Sequence, residues 1–312
     1  MKRFITNNIS IIGPFIGLIL FSIILGVLSD SFFTVDNILN LLRQISINAL
    51  IAFGMTFVIL TAGIDLSVGS ILALGSALTA GLLTSGMDPL LAVFIGLIIG
   101  LVLGAVNGLV ITKGKVAPFI ATLATMTIYR GATLVFTDGR PITGLSDSFT
   151  FEMIGKGYVF GIPFPVLLML VIFGILFFVL RKTVFGRQVY AIGGNEEAAI
   201  LSGIKADRVK IWVYSLTGML SVLAGIILTS RLNSAQPTAG TSFELDAIAA
   251  VVIGGTSLAG GKGRIVGTLI GALIIGVIDN GLNLLNVSSF YQQIVKGGII
   301  LLAVLLDRRQ SK

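Results

Sequence analysis

Ten apolar runs, each near the length of a membrane-crossing helix, divide the sequence and tie the chain to a lipid bilayer. They fall at 9–28, 45–62, 68–86, 89–111, 117–136, 162–180, 211–230, 245–259, 265–285 and 290–306. About 20 consecutive apolar residues span the hydrocarbon core as a helix. Charge agrees with this reading: 11% of the 312 residues are charged and 55% are hydrophobic, against about 25% charged in soluble domains. So little charge cannot cover a water-facing surface, which excludes a soluble enzyme, a nucleic-acid binder and a disordered scaffold. The expected fold class is all-α, a polytopic membrane protein of about ten transmembrane helices in a single domain over 1–312. Runs two and eight carry the weakest signal, because Gly, Ser and Thr interrupt them and run eight is short.

The net charge of +7 reads as topology. With the N-terminus inside and ten alternating spans, fifteen of the 21 Lys and Arg fall on the inner side: Lys2, Arg3, Lys113, Lys115, Arg181, Lys182, Arg187, Lys205, Arg208, Lys210, Lys262, Arg264, Arg308, Arg309 and Lys312. Basic residues concentrate on the cytoplasmic side of membrane proteins, so both termini are expected in the cytoplasm. Arg43, Arg130, Arg140, Lys156, Arg231 and Lys296 remain outside or within spans. The first run is longer than a signal-peptide core and lacks a small-residue cleavage pattern, so it is read as an uncleaved first helix.

Cysteine and histidine are both absent. Thiolate chemistry, the commonest general base and the commonest metal ligand are thereby removed, and no catalytic residue, metal or cofactor is expected. Gly255–Lys262 comes near a phosphate loop but lacks its required Gly-Lys-Ser/Thr ending, so the chain holds no nucleotide site. Its energy source is then another chain or an ion gradient.

Ten spans divide into two sets of five, about 1–160 and 161–312, and an odd number per half inverts the second half relative to the first. Such repeats place a substrate path at their interface near the bilayer midplane. Thr61-Ala-Gly-Ile-Asp-Leu-Ser-Val-Gly-Ser70 in one half and Ile253-Gly-Gly-Thr-Ser-Leu-Ala-Gly-Gly261 in the other are both polar, glycine-rich breaks before a small-residue helix.

The longest hydrophilic inner segment, 181–210, contains Asn195-Glu-Glu-Ala-Ala-Ile-Leu-Ser-Gly203. Asn195 suits an N-cap, Glu196 and Glu197 face the positive end of a helix dipole, and Gly203 suits a left-handed terminus. Ala198 and Ala199 would leave a smooth face, with Ile200 and Leu201 adding apolar contact. The segment is shaped either to dock into a groove on a partner or simply to join two spans as a surface helix.

Ionisable residues at membrane depth are costly and face a wet cavity or one another. Asp65, Asp246, Asp279 and Lys296 meet that description, and with Ser67, Asn107 and Asn283 they form the candidate translocation path or gate. Asp65 also reads as a cap on the helix that follows it, and Asp279 and Lys296 as a pair bracing runs nine and ten, with Asn280 and Asn283 near. Gly96, Gly100, Gly104 and Gly108 recur every four residues, as do Gly267 and Gly271. These small faces fit close helix packing within one chain, with a contact between two copies as the other reading.

Glu197-Ala198-Ala199 followed by Gly203 resembles the cytoplasmic "EAA" loop of ATP-binding-cassette (ABC) importer permeases, without the apolar-Pro ending seen in other importers. Gly63–Ser70, Gly186–Asn195 and Asp246–Gly261 resemble the signature stretches of the ribose/monosaccharide permeases, and the likeness runs over essentially the whole chain. The resemblance implies a type II-like permease that forms a homodimer in the bacterial inner membrane. It also implies a two-cassette ATPase beneath and an extracytoplasmic sugar-binding protein above, with Glu196, Glu197, Ala198, Ala199 and Gly203 coupling to the ATPase. Rival expectations are an ion-coupled carrier using Asp65, Asp279 or Lys296, a passive pore, and an ABC role for galactose, xylose or a quorum signal.

Overall fold

A computed structural model describes residues 9–145 and 148–310. Lys2, Arg3 and Lys312, which count toward the charge asymmetry, lie outside the described residues. The chain is helical almost throughout: α1 Ile9–Leu28, α2 Val35–Leu60, α3 Val68–Thr84, α4 Pro89–Thr112, α5 Pro118–Thr137, α6 Phe149–Lys156, α7 Phe164–Lys182, α8 Val184–Gly194, α9 Glu196–Leu201, α10 Ala206–Leu232, α11 Phe243–Ile253, α12 Ile265–Leu284 and α13 Ser289–Gln310. Among the described residues, six of these (α2, α4, α5, α7, α10 and α12) are long and apolar enough to cross a membrane. The protein is a multi-pass membrane protein.

Local chemistry sets the boundaries. Asp88 caps α4 by accepting the amides of Leu90 and Leu91 at 3.0 and 3.1 Å, with Pro89 in the first turn. Proline there costs nothing, since its missing N–H has no helical partner in any case. Asp138 closes α5 and Asn233 closes α10 in the left-handed region, at φ 51° and 50°. Short polar side chains tolerate that conformation better than most.

Two boundaries differ most from the apolar runs. Helix α2 begins at Val35, ten residues before its run, because a polar first section is held by partners: Asn37 and Asn280 exchange amide bonds at 2.8 and 3.0 Å. Helix α11 stops at Ile253, six residues short of its run. There Gly254 and Gly255 turn the chain, Gly255 at φ +82°.

The core centres on α2, which is buried without a break from Ala49 to Leu60 against the surrounding apolar helices. A helix that is apolar all round belongs in such a position. Helices α4, α5 and α7 bury one face only and present Phe94, Val135 and Phe178 outward, as lipid-facing helices do. Helix α10 packs along α4 through the glycine stripe. A Cβ at Gly104 would run into the Tyr214 carbonyl, and one at Gly218 into that of Gly100. Gly271 meets the Ala250 carbonyl of α11 in the same manner. Both stripes therefore pack inside one chain.

Two small antiparallel pairings tie one end of the molecule. β1 (Ile142–Thr143) joins β4 (Ser234–Ala235), linking the segments after α5 and α10. β2 (Tyr158–Val159) and β3 (Ile162–Pro163) form a hairpin whose turn, Phe160-Gly161, has both φ values positive, the backbone that tight two-residue hairpins require. At the other end, the second glycine-rich break meets the end of α2: the Gly261 amide donates to the Leu60 carbonyl at 3.0 Å. That bond satisfies a C-terminal carbonyl of α2 that the helix itself leaves unpaired.

Candidate functional site: a docking loop and polar centres between the helices

Segment 181–210 folds as the end of α7, helices α8 and α9, and the first turn of α10. Thr183 caps α8 through the Gly186 amide at 3.2 Å, and Asn195 caps α9 through the Ala198 amide at 2.9 Å. Gly203 ends α9 at φ +85°, with Gly203 and Ile204 amides returning to the Ile200 and Ala199 carbonyls. The five residues expected to couple do not share one surface. Glu197 and Ala198 are exposed, as are Ile200 and Leu201, the last at 89%. Ala199 is buried, contrary to the smooth Ala-Ala face read from sequence, because the turn at Gly203 folds Ile204 back over that side. Glu196 is held by Lys210 of α10, whose Nζ lies 2.6 Å from both carboxylate oxygens.

In the break between α2 and α3, Asp65 Oδ1 accepts the Ser67 amide at 2.9 Å and its hydroxyl at 2.6 Å. Asn107 Nδ2 of α4 donates to the Ser67 hydroxyl at 2.7 Å. All three side chains are fully buried. Asp65 thus holds the residue that precedes α3, one position from the helix start expected. Asp65 Oδ2 and Asn107 Oδ1 have no hydrogen-bond partner among the described residues.

Lys296 of α13 bridges Asp246 of α11 at 3.0 Å and Asp279 of α12 at 2.9 Å. The triad borders a cavity of about 210 Å³ that Gln44, Asn48, Arg231, Asn283 and Gln292 also line. The sequence paired Asp279 with Lys296 but left Asp246 out of that pair. Asn280 turns to Asn37 of α2, and Asn283 accepts from Gln292 at 2.9 Å.

Arg130 had no assigned role in the sequence reading and proves central. From the middle of α5 its Nη1 donates to the carbonyls of Pro237 and Ala239 at 2.7 and 2.8 Å, and its Nη2 to that of Gly69 at 3.4 Å. One side chain thereby joins α5, the start of α3 and the irregular segment before α11. Glu244 lies across a recess of about 400 Å³ that Arg130, Ser70, Thr127 and Thr241 also line. The available signal was a lone arginine midway through an apolar run, which at membrane depth demands partners. Nothing in the sequence said that those partners would be backbone carbonyls.

Among the described residues no cluster of His, Cys, Asp and Glu can hold a metal ion. The arrangement offers hydrogen-bonding groups inside helix packing, suited to guiding a polar solute, and a protruding helix tied to a long one.

Comparison with known proteins agrees with this architecture. Residues 37–304 match a family described as the branched-chain amino acid transport system permease component. The chain is 69% identical to the ribose import permease protein RbsC of Bacillus subtilis (strain 168), over 96% of this chain and 93% of that protein. It is 54% identical to the ribose import permease protein RbsC of Escherichia coli (strain K12), over 95% and 93%. Against the D-allose transport system permease protein AlsC of the same strain, identity is 46% over 96% and 92%. No solved structure matches the chain. The chain belongs to this permease family, among the ribose and other monosaccharide permeases of ABC importers.

Proposed function

We propose that the chain is the membrane-spanning subunit of an ATP-driven importer that carries D-ribose into a bacterial cell. The identity gradient is the observation that carries the choice of sugar: 54–69% to proteins named as ribose permeases, 46% to an allose permease and 38% to a xylose permease. Two copies, a two-cassette ATPase and an extracytoplasmic sugar-binding protein complete the machine, which sits in the inner membrane with both chain termini in the cytoplasm. ATP is hydrolysed by the ATPase partner.

Ten spans in two inverted five-helix halves, about 1–160 and 161–312, are the arrangement we infer. The bond from Gly261 in the second break to Leu60, at the end of α2 just before the first, supports it, because inverted repeats meet at an interface.

The coupling loop is 181–210, and α9 is its docking element. Glu197, Ala198 and Leu201 face the ATPase, while Glu196 transmits rather than touches: pinned to Lys210, it passes any displacement of α9 to α10. Helix α10 is packed backbone to backbone on α4, so it moves with α4 as a rigid pair. Asp65, Ser67 and Asn107 brace the start of α3 against α4 and carry the movement to the gate. The Arg130 and Glu244 recess opens on the side of α5, where a charged pair cannot face lipid tails cheaply. It is therefore turned toward the second copy, and with the cavity beside Asp246, Asp279, Asn283 and Lys296 it gives sugar hydroxyls exchangeable hydrogen bonds.

Uptake of labelled ribose by cells carrying this chain with its ATPase and binding protein tests the reading. Unlabelled ribose is expected to compete strongly and xylose weakly. Equal competition by allose or xylose would contradict the assignment of ribose.

A further inference from the structure

A further recess, of about 760 Å³, lies where the end of α7 and helix α8, both in segment 181–210, meet the segment before α12, and it shares no lining residue with the polar centres at Asp65, Arg130 and Lys296. Four cations line it, Arg181, Arg187, Lys262 and Arg264, and no carboxylate does. Among the described residues, no acid lies within ion-pair distance of Arg181, Arg187 or Lys262. The Gly261-Lys-Gly-Arg264 stretch lines it, overlapping at Gly261-Lys262 the end of the Gly255–Lys262 segment that came near a phosphate loop without matching a nucleotide site. Its backbone is fixed from α8 by the Tyr190 hydroxyl, which donates to the Gly263 carbonyl at 2.9 Å. Burial pushes the Tyr190 phenol up, against the opposing charge of Arg264, so the hydroxyl keeps its proton. The first amides of α12 open beside Arg264, and a helix N-terminus favours an anion.

The rest of the wall is apolar. Phe177 and Leu180 of α7 and Ile265 and Val266 of α12 complete the recess, and the Arg181 guanidinium lies over the Phe177 ring at 5.5 Å. Phe178, next to Phe177 on α7, is 60% exposed, so apolar membrane-facing surface adjoins the recess. A soluble phosphate has no use for such a wall, whereas the first carbons of acyl chains do. Basic pockets between helix ends on the cytoplasmic side are where acidic headgroups lodge, and guanidinium groups match phosphate oxygens in pairs.

We propose that this recess is a binding site for the phosphate of an anionic membrane phospholipid, held by Arg187, Lys262 and Arg264 with its acyl chains along α7. The site does not depend on which sugar the permease carries.

The full-length chain, extracted in mild detergent and exchanged with phosphatidylglycerol or phosphatidylcholine vesicles, is examined by native mass spectrometry to count retained lipid. Wild type is expected to keep phosphatidylglycerol selectively. Affinity is expected to fall roughly thirty-fold in R187Q/K262Q, given the known worth of each basic residue near a headgroup. The K115Q/K205Q variant, which removes the same charge from exposed positions outside the recess, is expected to bind as wild type does. Unchanged melting temperatures establish that each variant is folded. Equal retention of the two lipids, equal loss in both double variants, or displacement by inorganic phosphate at the concentration of the lipid would overturn the proposal. So would loss of ATPase co-purification in R187Q/K262Q with lipid retained, because the recess would then belong to the ATPase.

Discussion

Lys210 Nζ sits 2.6 Å from both carboxylate oxygens of Glu196, fastening the six-residue helix α9 to the first turns of α10. A single ion pair of this kind, partly exposed, contributes on the order of 1 kcal/mol or less to folding. In the coupling proposed above its value is mechanical: without it, a push on α9 would be spent on bending the turn at Gly203. Lys210→Met is therefore expected to leave ATPase association and melting temperature nearly intact while sugar moved per ATP falls several-fold. Parallel measurement of ATP hydrolysis and uptake in reconstituted complexes checks this, and an unchanged ratio would remove the tether from the mechanism.

Glu197 points outward from the same helix. Glu197→Arg is expected to abolish uptake with normal amounts of the chain in the membrane, because a reversed charge at the proposed docking surface would oppose the partner directly. Pull-down of the ATPase is the measurement, and undiminished association would deny α9 its docking role.

Breaking the Lys296 triad tests whether it braces α11, α12 and α13. Lys296→Met leaves Asp246 and Asp279 facing each other without a cation, and removing one member of a buried charged group typically costs about 3–5 kcal/mol. K296M/D246N/D279N removes the charges together and is expected to recover most of that loss. Denaturation in detergent reads both. A single variant as stable as wild type would show that the triad carries no structural load.

The glycine contact between α4 and α10 makes a sharper contrast. Gly104→Val would force a side chain into the Tyr214 carbonyl, and overpacking of that kind costs roughly 1–3 kcal/mol. Gly131→Ala, on α5 with nothing within 4 Å of a new Cβ, is expected to cause no loss of stability and to add up to about 1 kcal/mol through helix propensity. Thermal unfolding of the two variants side by side checks the difference.

How much of this was legible beforehand varies with the physics involved. Apolar length and helix caps are local properties, so α4, α7 and α12 fell within two residues of their runs, and Asn195 and Gly203 bound α9 as their chemistry suggests. The glycine spacing announced close packing, and the coordinates identify its partner as α10 of the same chain. Long-range pairings were harder. Asp279 and Lys296 invited each other as opposite charges on neighbouring runs. Asp246 joins them from the first turn of α11, a placement fixed by tertiary packing that no local pattern encodes. Arg130 was invisible as a hub because its acceptors are main-chain carbonyls, which every sequence supplies. Ala199 was misjudged because the fold-back at Gly203 decides which side of a six-residue helix is covered.

The most direct test of the account is concentrative transport of ribose into proteoliposomes holding the purified chain, with and without its ATPase and binding protein. Accumulation against a gradient is expected only when both partners and ATP are present, and none is expected from the chain alone under a proton or sodium gradient. Uphill ribose flux in vesicles containing this chain and no ATPase would contradict it.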